Sequence, residues 1–241
     1  MVASNLKDKT IVVVGGSSGI GLAVVKLANE FGANVVLTGR NQKKAIYAAS
    51  SVGFAVKGWT LDVDDEQAIV DFFKPFASID HIYIAAGSTK LGSVTEGVLE
   101  ENMAAFNTRL LGSLRIVRAV ANKISPSGSI TFTGGVSTDR PISGAWVSGL
   151  GTASAEQLAR VLVMELPHIR LNAVSPGYTD TPMWDGIMSE QKTEILATIA
   201  EKLPVKKIAS PEEVASAVLF LMSNASITGE VIHVDGGARL I

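Results

Sequence analysis

The segment Gly15-Gly16-Ser17-Ser18-Gly19-Ile20-Gly21 follows a short apolar run, Thr10–Val14, and precedes a helical stretch, Leu22–Phe31. Glycines at a strand-to-helix turn suit the binding of a pyrophosphate. Gly15 permits the tight turn, Gly19 lets backbone approach the phosphates, and Gly21 allows close packing of the helix, whose N-terminus offers amide donors and a positive dipole end. Ser17, Ser18 and Ile20 complete the loop. A glycine pattern alone is weak, and its placement in the first βαβ unit is what points to a dinucleotide. The next apolar run closes on Thr38-Gly39-Arg40. A carboxylate expected there for the ribose 2′-hydroxyl of NAD(H) is replaced by a guanidinium, which suits a 2′-phosphate and favours NADP(H) over NAD(H). Asp62-Val63, at the end of the third expected strand, lies where an adenine ring would be met, and Asp62 reads equally as a helix cap.

The elements that must position these residues follow from periodicity. Strands are expected at Thr10–Val14, Asn34–Thr38, Phe54–Trp59, His81–Ala85, Ser129–Thr133, Arg170–Val174 and Glu230–Val234, with helical patterns between them. This alternation predicts an α/β fold, a doubly wound parallel sheet with helices on both faces. Helix starts are legible at Ser210-Pro211-Glu212-Glu213 and at Asp64-Asp65-Glu66. Helices expected at about Leu99–Lys123 and Trp146–Leu166 are apolar around more than one face, which fits either packing within the domain or a subunit interface.

With 241 residues, 47% hydrophobic and 18% charged, and no Pro/Gly/Ser linker, the chain reads as a single domain spanning residues 1–241. The absence of cysteine excludes a disulfide framework, a thiolate metal site and a cysteine nucleophile. A net charge of −2, with only Lys43-Lys44 and Lys206-Lys207 as basic pairs, argues against a nucleic-acid partner. Met1–Thr10 leads into an apolar run too short for a signal peptide, and no stretch reaches membrane-spanning length, so a cytoplasmic protein is expected.

Several separated motifs resemble those of the short-chain dehydrogenase/reductase family over nearly the whole chain. They are Gly15, Gly19 and Gly21; Asp62; Ala86-Gly87; Asn172-Ala173-Val174-Ser175-Pro176-Gly177 with Thr181; and Ile227-Thr228-Gly229-Glu230 with Val234-Asp235-Gly236-Gly237. The resemblance implies a mostly parallel, seven-stranded Rossmann sheet. It brings Pro176, Gly177, Thr179 and Thr181 toward a nicotinamide, makes about 183–203 a mobile substrate lid, and implies a homodimer or homotetramer. The family's proton chemistry uses Asn, Ser, Tyr and Lys. Aligned on Ala155–Arg160, this sequence has Ser148 at the tyrosine position, Thr152 at the lysine, Gly135 at the serine and Arg109 at the asparagine. No tyrosine elsewhere precedes a lysine by four: Tyr47, Tyr83 and Tyr178 are followed there by Ser51, Gly87 and Pro182. Ala85 stands for the asparagine of the strand-four motif.

Loss of a placed general acid costs about 10²–10⁴ in rate, so ordinary ketone reduction is expected to be poor. An already electrophilic C=N or C=C bond needs less proton donation. The expected function is therefore NADP(H)-dependent hydride transfer to such a bond, or a carbonyl, of a small organic substrate. An inactive NADP(H)-binding regulator or partner subunit is one alternative; an isomerase or cyclase with the cofactor as scaffold is another. Besides Ser148 and Thr152, candidate polar groups are Arg109, for an anionic group or the nicotinamide side, and Asp139, for a cation or a proton relay. A structural ion pair for Arg109 and a solvated surface position for Asp139 are the plain readings. Trp146, Tyr178, Met183 and Trp184 are candidate pocket residues, with core packing the simpler account of Trp146. His81, His168 and His233 read as structural, and no metal site is expected.

Overall fold

The computed structural model describes residues 5–241, so the first four residues of the expected single domain lie outside it. Seven strands are present: β1 (Thr10–Val14), β2 (Asn34–Gly39), β3 (Lys57–Thr60), β4 (Ile79–Ile84), β5 (Ile124–Thr133), β6 (Arg170–Pro176) and β7 (Val231–Val234). They form one sheet in the order β3-β2-β1-β4-β5-β6-β7, and every pairing is parallel, so the sheet is a fully parallel Rossmann sheet. The strand order reverses between β1 and β4, and a crevice opens there at the carboxyl ends of the strands.

The helices are α1 (Gly19–Glu30), α2 (Gln42–Val52), α3 (Glu66–Phe73), α4 (Leu99–Val120), α5 (Trp146–Glu165), the short α6 (Asp185–Met188), α7 (Lys192–Lys202) and α8 (Pro211–Ser223). Alternate residues of the central strands β1 and β4 feed two cores. Val12, Val14, Ile82 and Phe132 pack with Ile116 and Leu158 on the α4/α5 face. Ile11, Val13 and Tyr83 pack with Val24 and Val218 on the α1/α8 face. Ser210 and Glu213 form the capping box that starts α8, and Asp65 caps α3.

Two strand starts, those of β3 and β5, differ from expectation by three residues or more. A turn closed by Val56 N–H donating to the Gly53 carbonyl at 3.1 Å takes up residues 54 and 55. Phe54 is therefore fully exposed, and the edge strand β3 begins only at Lys57. β5 begins at Ile124 because the Ser-Pro-Ser-Gly stretch continues the strand through an irregular register against β4. Of the apolar residues around α4 and α5, Ile116, Val120 and Ala159 are buried, whereas Leu111, Leu150, Val161 and Met164 face outward from the single chain.

Buried His81 on β4 carries a stability consequence. Its Nδ1 lies 2.9 Å from Ser129 Oγ. Burial, aided by the Arg170 charge, pulls its pKa from the usual 6.5 down to about 4. Below pH 6.5 the unfolded chain takes up a proton that the native protein refuses. Stability should thus fall as pH drops from 6.5 to 4, by about 3 kcal/mol from this group. Urea midpoints across that range, compared with His81→Gln, check this: an equally steep decline in the variant would remove His81 as the cause.

Candidate active site

The cradle is built by chain neighbours. Gly15 and Gly16 N–H groups both donate to the Thr38 carbonyl, at 3.1 and 2.9 Å, which ties the β1 turn to the end of β2. Gly15 has φ +87°, and a Cβ there would sit 2.7 Å from the Ala86 nitrogen. At Gly21 a Cβ would lie 2.2 Å from the Gly15 carbonyl oxygen. Ser18 precedes α1 without capping it through its side chain, and the first turn of the helix holds no acid. Its amide end is thus left for a ligand. A phosphate-bearing group fits this turn, because bare backbone and a free helix start are what an anion requires.

The turn forms one end of a cleft of about 700 Å³. Ser17, Ser18, Gly19, Ile20, Arg40, Val63, Ala86 and Gly87 line it on the β1/β2 side. Pro176, Gly177, Tyr178, Thr179, Thr181, Met183 and Trp184 line it beyond β6. Arg109, Gly135, Ser148 and Thr152 border the middle. Residues expected from distant segments are thus brought to one crevice.

Three expected site residues are not. Asp62 is exposed and its Oδ1 accepts from the Asp64 N–H at 3.0 Å; this turn after β3 directs it away, while Val63 is buried on the cleft wall. Nor does Asp62 cap α3, since Asp65 does. Asp139 ends a short 3₁₀ turn, Val136–Thr138, and lies 3.0 Å from His233 Nε2 on β7, off the cleft. Trp146 starts α5 on a neighbouring face: Ala145, Ser148 and Thr152 share the cleft side at helical spacing, and residue 146 falls outside it.

Arg109 sits between Gly87 and Gly151, where added Cβ atoms would meet its side chain at 2.9 and 3.4 Å. Its Nη1 donates to the Thr133 carbonyl at 2.7 Å. Among the described residues it makes no ion pair, which corrects the structural-pair alternative. Burial lowers its pKa from the usual arginine value, and the nearby Tyr83 phenol partly opposes that shift. Burial in turn raises Tyr83 to about 12. Thr152 is buried; its Oγ1 accepts from Thr138 Oγ1 at 3.0 Å and lies 3.0 Å from the Ser148 carbonyl, to which it donates. Gly135 donates its N–H to Glu156 Oε1 at 3.1 Å, and a Cβ there would press to 2.9 Å from Thr152 Cγ2.

Over the far end, the Tyr178 and Trp184 rings stack at 5.6 Å, and Trp184 Nε1 donates to the Thr179 carbonyl at 2.9 Å. Lys192 Nζ joins Asp180 and Asp185, each at 2.8 Å, and donates to the Thr181 carbonyl at 3.1 Å, tying α7 to the loop after β6. An apolar wall from Ile187, Met188, Ile195, Ile199 and Leu203 falls within the stretch 183–203 expected as a lid, in which the sequence singled out only Met183 and Trp184, although Ile195 and Ile199 stand at helical spacing. Sequence reasoning missed Ala238 and Ile241, which no local pattern marks. The charged side chains on the cleft are Arg40, Arg109, Arg140 and Lys202; no aspartate or glutamate side chain lines it among the described residues.

Among the described residues no group of three His, Cys, Asp or Glu is placed to hold a metal ion, and no helix is long and apolar enough to cross a membrane.

The enoyl-(acyl carrier protein) reductase family profile matches residues 14–239. Carbonyl reductase family member 4 of Danio rerio is 32% identical over 242 residues, covering 97% of this chain and 99% of its own. Among solved structures, the MalC reductase/Diels-Alderase of Malbranchea aurantiaca superposes with TM-score 0.92 at 26% identity, over 100% of both chains. A small-chain dehydrogenase in complex with NADPH superposes with TM-score 0.81 at 30% identity, over 97% of this chain and 100% of its own.

Proposed function

Because this chain belongs to the short-chain dehydrogenase/reductase family, we propose that it is an NADP(H)-dependent oxidoreductase acting on an activated C=C or C=N bond, or a carbonyl, of a small organic substrate by a non-standard proton mechanism. The observation that carries this reading is a bare phosphate cradle at one end of a cleft whose middle is bordered by Arg109, Gly135, Ser148 and Thr152. On the alignment through Ala155–Arg160, we read Arg109 in place of the family's Asn, Gly135 in place of Ser, Ser148 in place of Tyr and Thr152 in place of Lys. An aliphatic hydroxyl at 148 has no neighbouring ammonium at 152 to acidify it.

Gly15, Ser17, Ser18, Gly19, Ile20 and Gly21 would hold the pyrophosphate, Arg40 the 2′-phosphate, Val63 the adenine side, and Ala86, Gly87, Pro176, Gly177, Thr179 and Thr181 the nicotinamide half. When bound, the reduced nicotinamide supplies a hydride. Arg109 then faces the inner cleft with a single protein acceptor for its N–H donors, and stabilises negative charge gathering on a substrate oxygen. Cationic side chains without a facing acid favour a conjugated enone, which gathers negative charge, over a preformed iminium cation. Tyr178, Met183 and Trp184 with the apolar wall of α6 and α7 form a lid, about 183–203, that excludes water. The outward apolar residues Leu150 and Met164 support a homodimer or homotetramer.

Likeness to a reductase/Diels-Alderase supports a second reading, in which the same cleft also guides a cyclisation. Titrations with NADPH and NADH, followed by enones, imines and ketones with absorbance at the reduced-cofactor band, separate the readings. Oxidation by enones but not simple ketones is expected. Tight NADPH binding with no oxidation by any class overturns the reductase.

Cofactor choice is tested at Arg40. Arg40→Asp removes a charge-assisted contact and adds repulsion, so the NADPH-to-NADH affinity ratio should fall by about 10²-fold. An unchanged ratio would remove Arg40 from the 2′-phosphate.

A further inference from the structure

On the side of the cleft toward the C-terminal segment, two cations have no aspartate or glutamate to answer them among the described residues. Arg140 donates to the Ala238 carbonyl at 3.0 Å. Lys202 leads into Leu203 and Pro204, whose side chains abut Gly236 and Gly237, so the chain at Lys202 runs up to the same C-terminal segment. Both border the cleft, and among the described residues neither enters an ion pair. Asp139, next in chain to Arg140, is held by His233 instead. The wall beside them is apolar, with Ile142, Ile199 and Leu203.

We infer that the substrate is an amphiphilic organic anion, an apolar body bearing a carboxylate that docks on the Arg140–Lys202 side of the cleft. Like charges beside a low-dielectric wall concentrate positive potential, which a carboxylate neutralises and an uncharged group does not. The apolar wall covers the body, and binding at this remote end holds the reacting bond toward Arg109. This deepens the reductase reading of the same cleft and rests on it. Arg109 acts on the reacting oxygen, whereas Arg140 and Lys202 select the substrate.

The test uses trans-3-benzoylacrylic acid and its methyl ester, an enone pair differing only in charge; the chain has no cysteine to add to them. Calorimetry on the NADP⁺-loaded protein reads binding without turnover. The acid should bind at least about tenfold tighter than the ester at low salt, with the preference shrinking as salt rises. Arg140→Gln with Lys202→Gln should erase the preference while ester binding holds. Lys202→Gln alone, which breaks no hydrogen bond within the protein, should reduce it. Equal affinities, a preference that survives in the double variant, or no binding of either compound overturns the inference. NADPH oxidation by the same pair is read separately: acid-selective binding without oxidation sinks the reductase and leaves the anion site standing.

Discussion

Replacing Arg109 with leucine is expected to lower enone turnover by about 10²–10³-fold while NADPH affinity stays within a few fold, the loss typical of removing one preorganised donor from a developing oxyanion. The guanidinium lies at the inner cleft, with Thr133 as its protein acceptor and no carboxylate partner among the described residues. Leucine fills similar space, and a buried charge exchanged for an apolar side chain is often neutral for stability. Melting temperature therefore serves as the control and should not fall. A structural arginine would show the reverse pattern, with stability lost and turnover kept. Loss concentrated in kcat places the charge at the reacting oxygen, and Arg109→Lys should recover part of it. An equal loss of NADPH affinity would move Arg109 to the nicotinamide side, and wild-type turnover in the leucine variant would end its catalytic assignment.

The second large effect belongs to Gly21. Gly21→Ala drives a methyl to 2.2 Å from the Gly15 carbonyl oxygen and 3.1 Å from the Gly16 Cα. Both contacts are backbone, so no side chain can swing aside. Either α1 withdraws or the turn opens, and each displaces the amides that would hold the pyrophosphate. NADPH affinity should fall by about 10²-fold or more, with a stability cost of about 1–3 kcal/mol for the overpacking. Fluorescence titration beside a urea melt checks both. A folded variant that binds NADPH as tightly as the parent would mean that the cofactor does not use this turn.

The cradle and the arginine after β2 were legible because each is a run of chain neighbours. Once a strand enters a helix through Gly15, Gly19 and Gly21, turn geometry leaves little freedom in what those residues face. The continuous apolar run Ile11–Val14 likewise implied a strand covered on both faces, and alternate residues of it enter the two cores. Side-chain direction was harder. One residue along a helix turns a side chain by about 100°, so Trp146 left the wall that Ala145 and Ser148 share. One 3₁₀ turn sent Asp139 to β7 and Arg140 into the cleft, although the two are adjacent in sequence.

By itself, then, the sequence determined the layered α/β architecture and the glycine turn between β1 and α1, both matters of local period and spacing. Only the tertiary structure decided which charged side chains line the cleft near the C-terminal segment. Arg140 meets a carbonyl 98 residues away, and its neighbouring acid is withdrawn by a histidine 94 residues distant. Such pairings depend on where the sheet delivers each loop, because Coulomb and hydrogen-bond energies follow distance in space and not separation along the chain.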